Sequence, residues 1–183
     1  MDKLRIFVLI IICALLFFYR YPFFKSHPLN EKNHKVFSPA YGRIMDINKL
    51  ENGDIYIAIF LSPLDIHYQF APIDGLVSNI EYDANGKFEL AYNLNKSREN
   101  EKVIYTIANN RGTFKVYQIA GKLVRRITPF KKIGDKLKTG DTLGIIHFGS
   151  RVDIIIPNHN GDFQINVFMN QKLDKNTILG QYF

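Results

Sequence analysis

A string of eleven residues near the C-terminus is used twice. Gly134-Asp-Lys-Leu-Lys-Thr-Gly140-Asp-Thr-Leu-Gly144 returns 36 positions later as Asn170-Gln-Lys-Leu-Asp-Lys-Asn176-Thr-Ile-Leu-Gly180. Glycine and asparagine, which tolerate φ > 0 best, exchange at the first and seventh positions, and this predicts one turn built twice. A second unit, proline then glycine then an apolar residue, recurs as Pro39-Ala-Tyr-Gly42-Arg-Ile44, Pro72-Ile-Asp-Gly75-Leu-Val77 and, one residue longer, Pro157-Asn-His-Asn-Gly161-Asp-Phe163. Repeated turns at these spacings constrain the chain to short elements.

The runs between the turns are rich in β-branched and aromatic residues: Ile55–Leu61, Val103–Ala108, Thr113–Ile119, Thr142–Phe148, Val152–Ile156 and Phe163–Phe168. Each is bounded by Gly, Pro or Asn, which predicts strands. Helical periodicity is weak, with room for a turn or two at 86–97 and 121–127. Asn85-Gly86 carries a hairpin-turn signal. The expected fold is mainly β (or α+β), an antiparallel sandwich or open barrel with internal repeats. Its alternation of Pro/Gly-led strand and Gly-bounded turn resembles the half-motifs of lipoyl-like barrel-sandwich domains.

The N-terminus differs in kind. Ile6 to Tyr19 is fourteen residues without a charge, bracketed by Arg5 and Arg20 and followed by Tyr21-Pro22-Phe23-Phe24. A membrane span needs about 20 residues, which Leu4–Phe24 supplies if the arginine stems reach the two interfaces. No small-x-small site follows the run, so a retained anchor is favoured over a cleaved signal peptide. The expected division is an anchor at 1–25, a polar linker at 26–35 and a β domain at 36–183, with the protein at a membrane, single-pass or N-terminally anchored.

Charge agrees with a lipid surface. Of the net +7, four charges lie in residues 1–35, and the remainder is spread without a basic run. A nucleic-acid partner is therefore not expected, whereas a basic segment beside an apolar one suits anionic lipid. The single Cys13 excludes an intrachain disulfide and a cysteine-rich zinc site. The histidines at 27, 34, 67, 147 and 159 include no pair four residues apart, so no metal is expected.

Chemistry concentrates at Phe148-Gly149-Ser150-Arg151-Val152-Asp153. Gly-Ser is unusual between apolar strands, because glycine weakens a strand and marks close backbone approach. Period-2 alternation places Phe148, Ser150 and Val152 on one face and His147, Gly149, Arg151 and Asp153 on the other. Residues alone leave two readings open: a bulged strand with a buried serine, or a reactive hydroxyl beside an unhindered carbonyl.

Five strings in order decide between them. Ser62-Pro63-Leu64-Asp65-Ile66-His67, Ala71-Pro72-Ile73-Asp74-Gly75, Asn100-Glu101-Lys102, Gln118–Ile127 and Gly144–Asp153 resemble the ordered motifs of the phosphatidylserine decarboxylases, particularly their short, pyruvoyl-dependent form. The resemblance implies self-cleavage between Gly149 and Ser150. A β chain of 1–149 and an α chain of 150–183 would result, the latter beginning with a pyruvoyl group made from Ser150. That ketone would serve as electron sink for decarboxylation of phosphatidylserine to phosphatidylethanolamine. His67 takes the place of the motif histidine and is the expected proton-transfer group, while Asp65 reads as a turn former. Arg125 and Arg126 match an arginine pair suited to a phosphate or carboxylate. The expected partners are phospholipid, membrane and the two chains of one precursor, with a homo-oligomer left open.

The family's Ser-Pro-Ala-Asp-Gly reads Ser38-Pro39-Ala40-Tyr41-Gly42 here, and a phenol cannot replace a carboxylate base at neutral pH. Asp74 is the candidate auxiliary residue. Phe70 stands where longer members have a second histidine. The competing reading is a processing-deficient, membrane-anchored homologue that binds lipid or acts as a scaffold without catalysis.

Overall fold

The structure, a computed structural model, describes residues 3–22, 34–84, 86–87, 89–91, 93–122, 126–147 and 150–183. It begins with helix α1 (Lys3–Phe18). Among the described residues fourteen strands follow: β1 (Lys35–Phe37), β2 (Gly42–Lys49), β3 (Ile55–Leu61), β4 (Tyr68–Phe70), β5 (Gly75–Asp83), β6 (Lys102–Asn109), β7 (Gly112–Ile119), β8 (Ile127–Pro129), β9 (Lys136–Leu137), β10 (Thr142–Ile146), β11 (Ser150–Ile156), β12 (Phe163–Ile165), β13 (Lys172–Leu173) and β14 (Ile178–Tyr182). A 3-10 turn covers Lys96–Glu99.

All strand ladders are antiparallel. Eight strands form one sheet in the order β13-β2-β3-β11-β7-β6-β5-β9, flanked by the three-stranded sheets β1-β14-β12 and β4-β10-β8. Leu173 and Leu137, from opposite edge strands of the large sheet, belong to one apolar cluster with Ile59, Val116 and Val152. The sheet must curl around its core to bring them together. The expected mainly β, antiparallel architecture is present.

The repeat has a structural basis. Gly134 has φ +92° and Asn170 +66°, so the first exchanged pair supports one turn twice. At the second pair only Gly140, at +86°, has positive φ. Each turn docks on the proline-glycine unit in the same way: Gly134 N donates to Val77 O at 2.8 Å, and Asn170 N to Ile44 O at 3.1 Å. The short strands that follow pair equivalently, Leu137 opposite Gly75 and Leu173 opposite Gly42.

Three expectations need correction. The helix runs 16 residues rather than from Leu4 to Phe24, about 24 Å against a hydrocarbon core of about 30 Å. No helix among the described residues is long and apolar enough to cross a membrane. It ends because Pro22 disfavours helical backbone at Tyr21, while Arg20 Nη1 caps Phe17 O at 2.7 Å and Arg20 Nη2 reaches Leu64 O at 2.6 Å. Residues 3–17 are nevertheless exposed along their whole length. No tight hairpin joins β5 to β6, since residues 84–101 separate them, and Asn85 of the expected turn lies outside the described residues. Finally, β10 stops at Ile146, so strand alternation does not extend through His147. The linker at 26–35 falls mostly outside the described residues, as do Gly149 and Arg125.

Candidate active site

Ser150 opens β11, a strand in the middle of the large sheet, between β3 and β7. Its sequence forces this position: Val152, Ile154 and Ile156 are fully buried, each such side chain contributing about 1.5–3 kcal/mol. Ser150 points to the same inner face and lies opposite Leu61, the last residue of β3. Its Oγ is buried without a hydrogen-bond partner among the described residues. The β3 side of the ladder includes Ser150, whereas the β7 side begins only at Arg151, opposite Ile119.

His67 comes from the turn that leaves β3. Asp65 builds this turn: its Oδ2 accepts Ser62 N at 2.8 Å and its N donates to Ser62 O at 2.9 Å. The Asp65 carbonyl then accepts His67 Nδ1–H at 2.8 Å, which leaves Nε2 as the acceptor nitrogen of the neutral ring. Only 2% of His67 is exposed. Burial lowers its pKa, with the Asp65 carbonyl opposing, so the ring is neutral at pH 7.

Two strands, β10 and β4, fix the His67 backbone. Its carbonyl accepts Ile146 N at 3.1 Å, at the end of the strand that leads to Ser150. It also accepts Gln69 Nε2 at 2.6 Å, and Gln69 Oε1 accepts Gln118 Nε2 at 2.6 Å. Gly144 makes room for this relay, because a Cβ there would lie 2.6 Å from Thr128 O and 3.0 Å from Gln118 Nε2. The motifs containing His67, Gln118 and Gly144 are thus joined around the start of β11.

The outer face of the same strand holds an ion pair. Arg151 is fully buried; its Nη2 donates to Asp153 Oδ2 at 3.0 Å and its Nη1 to Ser97 Oγ at 2.5 Å and Leu94 O at 3.1 Å. Arg151 Nε and Asp153 Oδ1 are 2.8 Å apart, poorly aligned for a hydrogen bond. Tyr56 OH donates to Asp153 Oδ2 at 2.8 Å. Burial pushes the Asp153 carboxyl up, against the pull of Arg151 and Tyr56. Asn100 supports the neighbouring motif: its Nδ2 donates to Ala120 O and Glu89 O, each at 2.8 Å. Sequence reasoning quoted Arg151, Asp153 and Gln118 within its strings but gave them no role, and it passed over Ser97 and Gln69. For Arg151, Asp153 and Gln118 the signal was a polar side chain within a strand flanked by apolar residues; Ser97, in the 3-10 turn, offered none.

The remaining expected residues are dispersed. Asp74 Oδ1 accepts both Thr139 N and Thr139 Oγ1 at 2.6 Å, tying the repeat unit to its turn. Tyr41 is half-buried, edge-on to Phe70 at 6.2 Å, and burial with nearby Asp174 raises its pKa, so it stays a neutral phenol. The Arg126 carbonyl accepts His147 N at 3.0 Å. His147 bonds Tyr19 OH through Nδ1 at 3.0 Å and Thr128 Oγ1 through Nε2 at 3.1 Å, so it joins the end of α1 to β8. A separate cavity of about 500 Å³ opens beside the Ser62–His67 turn, lined by Arg20, Tyr41, Asp65, Lys172 and Asp174 among others. No cluster of metal-ligating side chains occurs among the described residues.

Comparison with known proteins identifies the family. The family model for phosphatidylserine decarboxylase matches residues 15–181. A phosphatidylserine decarboxylase proenzyme of Thermobifida fusca is 38% identical over 135 residues, covering 74% of this chain and 61% of the relative. Those of Amoebophilus asiaticus and Chlorobium limicola are 33% and 31% identical over 160 and 164 residues, covering 84% and 87% of this chain and 69% and 76% of the relatives. The chain spans about three-fifths of the length of several relatives it matches. A mainly antiparallel β chain with these motifs belongs to the phosphatidylserine decarboxylase family.

Proposed function

We propose that this chain is a self-processing, pyruvoyl-dependent decarboxylase that converts phosphatidylserine to phosphatidylethanolamine at a membrane surface. The buried, unpartnered Ser150 Oγ carries the reading. A buried hydroxyl without a partner costs roughly 1–3 kcal/mol, and this one is covalently adjacent to the carbonyl that the family's chemistry would attack. The residues present therefore fit the group that Ser150 would become.

In the proposed processing, Ser150 Oγ bonds to the carbonyl carbon of residue 149 as the C–N bond breaks, and the hydroxyl proton passes to the freed amine. Loss of the Ser150 Cα proton then breaks the serine's original Cβ–Oγ bond, so that Oγ stays with residue 149 as part of its carboxylate. Water is taken up, ammonia leaves, and the α chain begins with a ketone. When formed, the pyruvoyl group supplies an electron sink for the electrons released with carbon dioxide.

His67 exchanges the proton at the reacting carbon through Nε2, with its ring held by the Asp65 carbonyl and its backbone by Ile146 and Gln69. Arg126 and Arg125 serve the substrate's anionic groups. Helix α1 is an N-terminal interfacial anchor, and its C-terminal end brings the cavity beside the Ser62–His67 turn to the lipid surface.

Intact mass under denaturing conditions tests the proposal. Two chains, ending at 149 and beginning at 150, are expected, with the second N-terminus blocked. Ser150→Ala should remain one chain and release no carbon dioxide from phosphatidylserine. An uncut chain with full activity would sink the proposal; an uncut, inactive chain would favour the non-catalytic lipid-binding reading, which Tyr41 motivates.

A further inference from the structure

The connection between β8 and β9 exposes two large apolar side chains, Phe130 at 50% and Ile133 at 59%. Positions 130–138 read Phe-Lys-Lys-Ile-Gly-Asp-Lys-Leu-Lys, with four lysines and one aspartate. The turn is well tied: Asp135 Oδ2 accepts Lys132 N at 3.0 Å, Asp135 N donates to Lys132 O at 3.1 Å, and Gly134 N donates to Val77 O. Nearby Asp141 Oδ2 accepts Lys138 N at 3.0 Å and stands 3.9 Å from Lys131. Both carboxylates therefore take part in holding backbone, and the surface remains basic. The turn related by the internal repeat exposes Phe168 and Met169 but has no charged residue from 165 to 171. Fold alone does not require Lys131 and Lys132, whose counterparts are Val167 and Phe168, whereas Lys136 recurs as Lys172.

Location gives the patch its meaning. Tyr21 packs edge-on against Tyr68, with ring centroids 5.1 Å apart, and Tyr68 lies 6.3 Å from Phe130. Tyr21 OH also bonds Thr142 Oγ1 at 2.9 Å. An aromatic row thus connects the end of the exposed apolar helix to the basic turn. Tyrosine rings suit the headgroup level, where an apolar body and a polar tip are both satisfied. Lysines beside inserted apolar groups are attracted by an anionic leaflet, whereas a second copy of this basic surface would be repelled.

We propose that Phe130 and Ile133, with Lys131 and Lys132, form a second contact with an anionic lipid bilayer, beside α1. Two contacts fix the domain's orientation, where the helix alone would leave it free to swivel. The idea rests on the reading of α1 as an interfacial anchor and is independent of cleavage at Ser150.

The chain contains no tryptophan, so Phe130→Trp gives a single reporter at an exposed site. The full-length variant is mixed with vesicles of phosphatidylglycerol and phosphatidylcholine, with and without brominated acyl chains. Vesicle-dependent blue shift and bromine quenching are expected, also in a Ser150→Ala background that cannot cleave. Lys131→Gln with Lys132→Gln should weaken binding to anionic vesicles by roughly tenfold or more and leave binding to pure phosphatidylcholine unchanged. An unquenched indole in the vesicle-bound Phe130→Trp variant, or a failure to bind vesicles, overturns the proposal. A blue shift without vesicles that grows with protein concentration also overturns it, in favour of self-association.

Discussion

Gln118 and Ser150 lie on the same inner face of neighbouring strands, and each holds a buried polar atom without a hydrogen-bond partner among the described residues. The register makes this so: Gln118 is directly opposite Val152, two residues from Ser150. Gln118 Nε2 is committed to Gln69, so its Oε1 is an acceptor lacking a donor, whereas Ser150 Oγ–H is a donor lacking an acceptor. Gln118→Leu is therefore expected to slow self-cleavage at least tenfold, measured as the cut fraction over time by denaturing mass spectrometry. Unfolding curves on the same samples separate this from collapse of the fold. Cleavage at the wild-type rate would remove Gln118 from the processing step.

Arg151 and Asp153 provide a different test, because removing one charge leaves the other buried. Arg151→Met is expected to destabilise the uncut Ser150→Ala protein by about 3–5 kcal/mol. Replacing both residues, Arg151→Met with Asp153→Leu, should recover most of the loss. Chemical denaturation of the three proteins checks this; a double variant no more stable than the single one would show that the pair is not the source.

His67 and His147 make stability fall with acid. Burial lowers both pKa values in the folded chain, so between those values and about 6.5 the unfolded chain binds more protons. Stability is fully present above about pH 6.5 and declines as pH drops toward the folded pKa values. Melting temperatures from pH 8 to 5 should show this slope, and His67→Gln should flatten it. A pH-independent midpoint would contradict the buried neutral ring.

Asp74 is expected to matter for folding and not for processing. Its two bonds from Thr139 hold the first copy of the repeated turn. Asp74→Ala should cost about 1–3 kcal/mol while leaving the cleavage rate within a factor of about two. A selective loss of cleavage with unchanged stability would restore Asp74 to the reaction as an auxiliary group.

The sequence exposed the repeats because turn chemistry is local: a backbone with φ > 0 selects Gly134 and Asn170 whatever surrounds them. Ile55–Leu61 was readable as a strand for a similar reason, its composition being rich in β-branched and aromatic residues. The end of α1 was not, because the run looks apolar as far as Phe24, yet Arg20 bonds Leu64, distant in sequence. Ser150 and His67 could be singled out from motifs. The ties linking them through Gln69, Gln118 and Ile146 arise only once four strands meet, so no window of sequence contains them.

Placing Ser150 at the beginning of a central strand has a consequence for the life of the protein after the proposed cut. The short fragment would be threaded between β3 and β7, and could leave only if both ladders parted. Before the cut, refolding is a unimolecular search; afterwards two molecules must meet again, at a rate that falls with dilution. A matured copy that opens fully is then lost at cellular concentrations, and its lifetime is set by the barrier to unfolding rather than by equilibrium stability.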